Sequence, residues 1–364
     1  MYFSEIELRN FRNYKHLKTE FHEKVNLLLG QNAQGKTNLL EALYLTSFGK
    51  SFRQISDSDM IGFGEDNAYV KAHAQGRLND VTVEIGLVKK GKSIKIDGVP
   101  VRKTSELLNN IHVIIFSPDD LRIVKDDPAR RRKFIDRELI QIKPVYFSAL
   151  TKYHRVLQQK NALLKNPDSD MRLLDVLDEE LASYGSAVID ERAGFIEKLS
   201  EVSHGIHSDL TENREDFSVT YKSNIPVSDN REEQKSVFLD ILSQSRSDDI
   251  ERRTSCRGPQ RDDLNLYING KMIRKYGSQG QQRTAALSLK LAETAIIRNE
   301  TGDMPVLLLD DVLSELDFAR QKQLINSFSS SQIFITAAEI DGNLMNEISD
   351  YEIYKINNGS VIHE

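Results

Sequence analysis

The chain has 364 residues, 19 glycines, 8 prolines and one cysteine, Cys256, with a formal net charge of −6. A single thiol excludes an intramolecular disulfide and a four-cysteine zinc site, and a reducing compartment fits it. Hydrophobic residues at 39% and charged residues at 29% describe a globular protein, and the length suggests two domains, or three. The negative balance argues against gripping nucleic acid with the whole surface but leaves room for a local basic patch. The start, Met1-Tyr2-Phe3-Ser4-Glu5-Ile6-Glu7, is acidic and alternating, unlike an export signal. No run approaches the roughly 18 apolar residues of a spanning helix, so the expectation is a cytoplasmic protein without a membrane partner.

The first hundred residues read as strands with one helix. Ile6 and Leu8 alternate with polar neighbours, and Val25-Asn26-Leu27-Leu28-Leu29 is a short apolar run ending at Gly30. From Asn38 to Phe48 the spacing is helical, with Leu39, Leu40, Leu43 and Tyr44 on one side. Tyr69-Val70, Val81-Thr82-Val83 and Ile94-Lys95-Ile96 are strand-like between turn residues, and residues 111–116 form a buried strand closed by Ser117-Pro118.

From Pro128 to about Thr211 there are only three glycines and three prolines, and charge is dense. Leu174, Leu177, Leu181, Tyr184, Val188, Phe195, Leu199, Val202 and Ile206 follow a three-four spacing, interrupted once at Glu191. A helix over 146–165 can partner that stripe, with a turn at Asn166-Pro167-Asp168-Ser169 between them. The pattern fits a helical hairpin arm and an ordinary helical subdomain equally. The last hundred residues return to alternating elements. Residues 264–268, 306–309 and 333–335 read as strands, and 279–298 as a long helix.

Gly30-Gln31-Asn32-Ala33-Gln34-Gly35-Lys36-Thr37 matches the phosphate loop G-x-x-x-x-G-K-[ST], with an apolar strand before it and a helix after it. Glycines let the loop amides turn inward to phosphate oxygens. Lys36 brings charge to the β- and γ-phosphates of ATP, the Thr37 hydroxyl is a magnesium ligand, and the helix adds its positive end. Pro305-Val306-Leu307-Leu308-Leu309-Asp310-Asp311 supplies the second half. Asp310 is expected to hold Mg2+ through water, and Asp311 to polarise an attacking water. Lys36 and Asp310 lie 274 positions apart, more than a compact domain of this kind needs. The helical region is therefore expected as an insertion, with both chain ends forming one head. Tyr276-Gly277-Ser278-Gln279-Gly280-Gln281 opens the long helix with S-x-G-Q. Ser278, Gly280 and Gln281 can form an anion site at the helix start, and a plain capped helix start fits Ser278 as well.

The order of motifs resembles the RecF family of DNA replication and repair ATPases, kin of the SMC and Rad50 heads. The carriers are Asn10-Phe11-Arg12-Asn13-Tyr14, the loop at 30–37, Phe116-Ser117-Pro118-Asp119-Asp120-Leu121, Arg130-Arg131-Arg132-Lys133-Phe134-Ile135-Asp136, Gly258-Pro259-Gln260-Arg261-Asp262-Asp263-Leu264, the segment at 278–284, and residues 308–317. The resemblance runs end to end, and SMC or Rad50 coiled coils would be several times longer than this arm. It implies an α/β P-loop ABC-type ATPase head with an antiparallel β subdomain and an inserted α-helical arm. The expected division is a head part over 1–127, an arm over 128–255, and a second head part over 256–364. It further implies an ATP-dependent homodimer in which Ser278 and Gly280 cap the nucleotide of the second subunit. Such a dimer would hold duplex DNA or a single-strand–duplex junction. It would act with RecO- and RecR-type mediators to load RecA at gaps in recombinational repair and replication restart, and so support the SOS response.

Three departures qualify that resemblance. The family usually has histidine where Gln260 stands. Thr336-Ala337-Ala338 occupies the place of the transporters' switch histidine. Asp311 replaces a catalytic glutamate with a shorter side chain, so hydrolysis is expected to be slow, as in a switch. For DNA, Asp127 can cap a helix starting at Pro128 on which Arg130, Lys133 and Arg137 share a face opposite Ile135, Leu139 and Ile142. A solvated face with intrahelical ion pairs fits the same residues, and nothing reads as a base-contacting helix. The rival functions are a transporter-type or kinase-like P-loop enzyme acting on a small molecule, and a non-hydrolysing scaffold.

Overall fold

The computed structural model describes residues 1–53, 55–77, 79–166, 171–328 and 330–363. Of the turn read at 166–169, residues 167–169 lie outside the described residues. The chain divides into two compact units, Met1–Leu121 with Glu293–Glu364, and Arg122–Ala292.

In the first unit both chain ends build one sheet, as the spacing of Lys36 and Asp310 requires. The strand Val25–Leu29 runs parallel to Ile333–Ala337 on one side and to Tyr351–Asn357 on the other. Ile333–Ala337 pairs with Val306–Asp310, which pairs with Val113–Phe116, all parallel. Ser360–His363 closes the far edge antiparallel. The central strands are near-continuous apolar runs because parallel strands are covered on both faces. A second sheet is antiparallel, in the order Tyr14–Glu20, Tyr2–Phe11, Asn67–Gln75, Asp80–Val88, Gly91–Ile96, Val99–Pro100. Its alternation is that of a sheet with one face in the core: Ala68, Val70, Ala72 and Ala74 are buried while their neighbours are not.

The helix Lys36–Phe48 touches strands of both sheets. The sequence suggested one apolar side, yet eleven of its thirteen residues are buried. A helix between two sheets has no solvent face, so it is apolar nearly all round. Glu41 lies inside that helix with no exposure and is met by Arg12, whose Nε and Nη2 donate to its two oxygens at 2.8 and 3.0 Å.

The second unit holds the helices Pro128–Ile142, Pro144–Leu164 and Met171–Leu210. The last has 40 residues, about 60 Å at 1.5 Å per residue. It packs along Pro144–Leu164, and Leu174, Leu177, Leu181, Val188, Phe195 and Leu199 are buried as the spacing predicts. The interruption at Glu191 has a structural reason, because the buried position there belongs to Arg192. Its Nη2 and Nη1 donate to Asp136 at 2.8 Å and Asp262 at 2.9 Å, and Nη1 also reaches the Pro259 carbonyl at 2.7 Å. Lys160 is likewise buried, 2.7 Å from both Asp178 and Asp249. The long helix also packs on Arg231–Gln244 and on the strand Phe217–Lys222. The helix pair is thus one part of a helical subdomain.

The units part at 121/122 and 292/293, where the sequence suggested 127/128 and 255/256. At the second boundary the strand Asp263–Ile268 belongs with the second unit, since it pairs antiparallel with Phe217–Lys222 there. The helical periodicity of the middle segment gave no sign of that pairing.

Candidate nucleotide site

The loop at 30–37 leaves the C-terminal end of Val25–Leu29 and runs into the helix Lys36–Phe48. Gly30 has φ 156° and Gly35 φ 119°. A Cβ on Gly30 would strike the Ile356 carbonyl, and one on Gly35 would strike the Asn13 side chain. Both glycines are required by close approach as well as by backbone conformation.

Neighbouring backbone and side chains fix the loop from outside. Asn13 Nδ2 donates to the Gln34 carbonyl at 2.8 Å and the Tyr14 hydroxyl to the Gly35 carbonyl at 3.0 Å. The Gly359 amide also reaches the Gln34 carbonyl at 3.0 Å, and the Asn358 amide donates to Gln34 Oε1 at 2.8 Å. Sequence reasoning missed Asn358 and Gly359. Their Asn-Gly pair is a hairpin-turn signal, but nothing local ties it to a loop more than 320 positions away.

Lys36 is buried and donates to the Gly30 and Gln31 carbonyls, the latter at 2.9 Å. Burial pulls its pKa down, opposed by the charges of Asp311 and Asp310. Thr37 Oγ1 donates to Asp310 Oδ1 at 2.7 Å, and Thr336 Oγ1 stands 3.1 Å from the same oxygen. Burial raises the Asp310 pKa, and those two hydroxyls oppose the rise. Asp311 is exposed, with φ 53°, and its amide donates to Thr336 Oγ1 at 2.9 Å. A left-handed backbone just past the strand Val306–Asp310 breaks its extended conformation at Asp311. Thr336 thus links the Asp310 carboxylate to the Asp311 backbone amide, a role its sequence did not announce.

A hydroxyl and a carboxylate side by side are hard oxygen donors of the kind magnesium takes. Among the described residues no three His, Cys, Asp or Glu side chains cluster as a metal site. Magnesium on Thr37 and Asp310 would therefore draw its other ligands from phosphate and water. Gln31, Asn32 and Ala33 form the exposed crest of the loop, and Ala33 takes φ 66°.

Ser278, Gly280 and Gln281 belong to the second unit. Ser278 and Gln281 form a reciprocal cap at the start of Gln279–Thr301: the Ser278 amide donates to Gln281 Oε1 at 2.9 Å, and the Gln281 amide to Ser278 Oγ at 3.2 Å. The Gly280 carbonyl accepts from Thr284 Oγ1 at 3.0 Å. Asp127 caps Pro128–Ile142 as expected. On that helix Lys133 is exposed, Arg130 Nε pairs with Asp126 at 2.8 Å, and Arg137 Nε pairs with Glu138 at 2.7 Å. Two neighbours in the same basic run are structural. Arg131 is buried against Asp263 at 2.6 Å, and Arg132 donates to the Asp262 carbonyl at 2.7 Å. Gln260 accepts from the Tyr153 hydroxyl and donates to the Arg257 carbonyl at 2.8 Å.

The RecF/RecN/SMC N terminal domain family matches residues 2–360. The DNA replication and repair protein RecF of Clostridioides difficile (strain 630) is 46% identical over 364 residues, covering 100% of this chain and 98% of that protein. The protein of that name from Clostridium tetani (strain Massachusetts / E88) is 42% identical over 367 residues, covering 100% of both. Among solved structures, the recombination mediator protein RecF-ATP of the RecFOR pathway gives a TM-score of 0.93 at 37% identity, covering 100% of this chain and 97% of that one. An SMC head bound to the C-winged helix domain of ScpA gives 0.56 at 16% identity, a likeness of fold alone. The phosphate loop, the Thr37–Asp310 pair and the full-length likeness agree, and the chain belongs to the RecF family of DNA replication and repair ATPases, with the ABC-type head fold it shares with SMC proteins.

Proposed function

We propose that the chain binds ATP with magnesium in the loop at 30–37 and hydrolyses it slowly, as a switch in DNA repair. The carrying observation is the hydrogen bond of 2.7 Å between Thr37 and Asp310 at the foot of that loop. Lys36 binds the β- and γ-phosphates. Thr37 and Asp310 hold the magnesium, which supplies charge neutralisation on the phosphates. Asp311, held by Thr336, orients water against the terminal phosphate. With the carboxylate one methylene shorter than glutamate, slow turnover follows.

In this reading ATP draws two copies together, and Ser278 and Gly280 of each cap the nucleotide of the other. Ser278 Oγ accepts from the Gln281 amide, so its own proton remains for a phosphate oxygen. The closed dimer holds duplex DNA or a single-strand–duplex junction, with Arg130, Lys133 and Arg137 as candidate backbone contacts. RecO- and RecR-type proteins are the partners, RecA loading at gaps is the outcome, the SOS response depends on it, and the cytoplasm is where it happens. The identities to RecF proteins and to RecF-ATP in the RecFOR pathway support this reading. Among the described residues no helix is long and apolar enough to cross a membrane, which gives the transporter reading no support.

The test is sedimentation with and without ATP and gapped duplex. A dimer that forms with ATP and binds the gapped duplex is expected. A protein that stays monomeric with ATP, or hydrolyses ATP without regard to DNA, overturns the reading.

A further inference from the structure

His207 is fully buried, yet it lies on the last turn of the 40-residue helix Met171–Leu210. Its ring stacks on Phe217, 4.8 Å between centroids. Nε2 stands 3.0 Å from Glu215 Oε2, and Nδ1 stands 2.9 Å from Ser288 Oγ. The other oxygen of Glu215 accepts from Gln281 Nε2 at 3.0 Å. Gln281 then takes the Ser278 amide on its Oε1. An unbroken polar chain therefore runs from the long helix to the serine of S-x-G-Q.

We propose that Glu215 is a positioning residue for Ser278, and that His207 ties it to the end of the long helix. The inference rests on the reading that Ser278 caps a nucleotide across a dimer.

The physical reason lies in donors and acceptors. A primary amide has two nearly isosteric orientations, and its partners decide between them. A carboxylate only accepts, so Glu215 compels Gln281 to present its NH2 group there. Gln281 Oε1 must then face the Ser278 amide, which closes the reciprocal cap and aims the serine hydroxyl. Without Glu215 the Gln281 amide is free to turn, and its NH2 would oppose the Ser278 N–H. His207 holds Glu215 in either protonation state. Ser288 Oγ can donate to Nδ1, or accept from it while donating to the Thr284 carbonyl at 2.8 Å. Nε2–H points at Glu215 in both cases. Burial holds the His207 pKa below its usual value, and Glu215 and His204 are the titratable groups facing it. A shift of the long helix would move Glu215 and with it the serine.

The test compares the full chain with Glu215→Ala and Glu215→Gln at neutral pH. It reads ATP affinity of the monomer, ATP-dependent self-association and turnover. Glu215→Ala is expected to bind ATP as the wild type does, but to lose turnover and self-association about ten- to hundredfold, the scale of a misplaced group. Glu215→Gln is expected to restore most of both. Its carbonyl can still accept from Gln281, and its amide can donate to a neutral His207 Nε2. Wild-type turnover in Glu215→Ala overturns the proposal. So does a Glu215→Gln variant as impaired as the alanine, or a Glu215→Ala variant with weakened ATP affinity. A wild type that neither binds ATP nor self-associates overturns the nucleotide reading first, and leaves Ser278 with no ligand to be aimed at.

Discussion

Thr37 and Asp310 stand 273 positions apart in the chain and share a hydrogen bond of 2.7 Å. The strand that leads into the loop before Thr37 and the strand that carries Asp310 are not neighbours: Ile333–Ala337 lies between Val25–Leu29 and Val306–Asp310. Thr336, on that middle strand, reaches the same carboxylate oxygen. Three parallel strands thus deliver their C-terminal ends to one point, the edge at which open α/β sheets bind ligands.

Lys36→Ala removes the charge on the phosphate loop. Charge-assisted hydrogen bonds contribute about 1.5–3 kcal/mol each, so ATP affinity should fall about ten- to hundredfold while the fold persists. Nucleotide titration of a variant with a wild-type melting curve checks this. Unchanged affinity would remove the loop as the site.

Ser278→Arg and Asp311→Asn should separate assembly from chemistry. The first is expected to bind ATP and remain monomeric, because bulk and charge replace the cap. The second is expected to dimerise with ATP and lose hydrolysis, because magnesium keeps Asp310 while the water loses its acceptor. Sedimentation and phosphate release read the two properties. An ATP-induced dimer of Ser278→Arg would discard capping across the interface.

Asp310→Asn should stabilise the nucleotide-free protein while abolishing magnesium-dependent hydrolysis. Burial holds the folded-state pKa of Asp310 above its unfolded value. Between those two values the native state binds more protons than the unfolded state, so this group's contribution to stability falls as pH rises through that window. The asparagine keeps an acceptor for Thr37 and carries no charge to bury. Melting temperature at neutral pH is expected to rise, and the acid-side gain in stability to shrink. A lower melting temperature at neutral pH would mean the ionised carboxylate is stabilised by its surroundings.

Arg192→Met should destabilise the second unit by about 3–5 kcal/mol, the scale for leaving a buried charge without its partner. Asp262 is buried, and Asp136 loses two of its donors. Hydrogen exchange along Met171–Leu210, read with urea unfolding, reports it. The Tyr221 hydroxyl also donates to Asp262, and a loss under 1 kcal/mol would mean that it or water satisfies that carboxylate unaided.

Arg130→Ala with Lys133→Ala tests the basic helical face. Each duplex phosphate neutralised adds about −0.9 to the slope of log affinity against log salt, so two cations on each of two copies amount to about −3.6. The paired variant should bind every sequence more weakly with a flatter slope. An unchanged slope in a variant that still dimerises would move the contacts to another surface.

The sequence by itself determined the phosphate loop, the carboxylates at 310 and 311, the S-x-G-Q helix and the joining of both chain ends. Each is a short pattern whose chemistry needs fixed residue types at fixed spacing, or, for the chain ends, a plain count of residues between two halves of one site. Local periodicity also gave the paired helices, because a stripe at three-four spacing must be covered. Only the tertiary structure decided the rest. Arg192 looked like one more charge beside an interrupted stripe, and becomes a buried link between Asp136 and Asp262. Arg131, within a run that reads as a basic patch, is spent on Asp263. Thr336 reads as a missing histidine and proves to be the link between the Asp310 carboxylate and the Asp311 backbone amide. Glu215 and His207 carry no motif at all. A polar side chain's partner is fixed by which strands and helices meet over long separations, and no window of sequence contains that information.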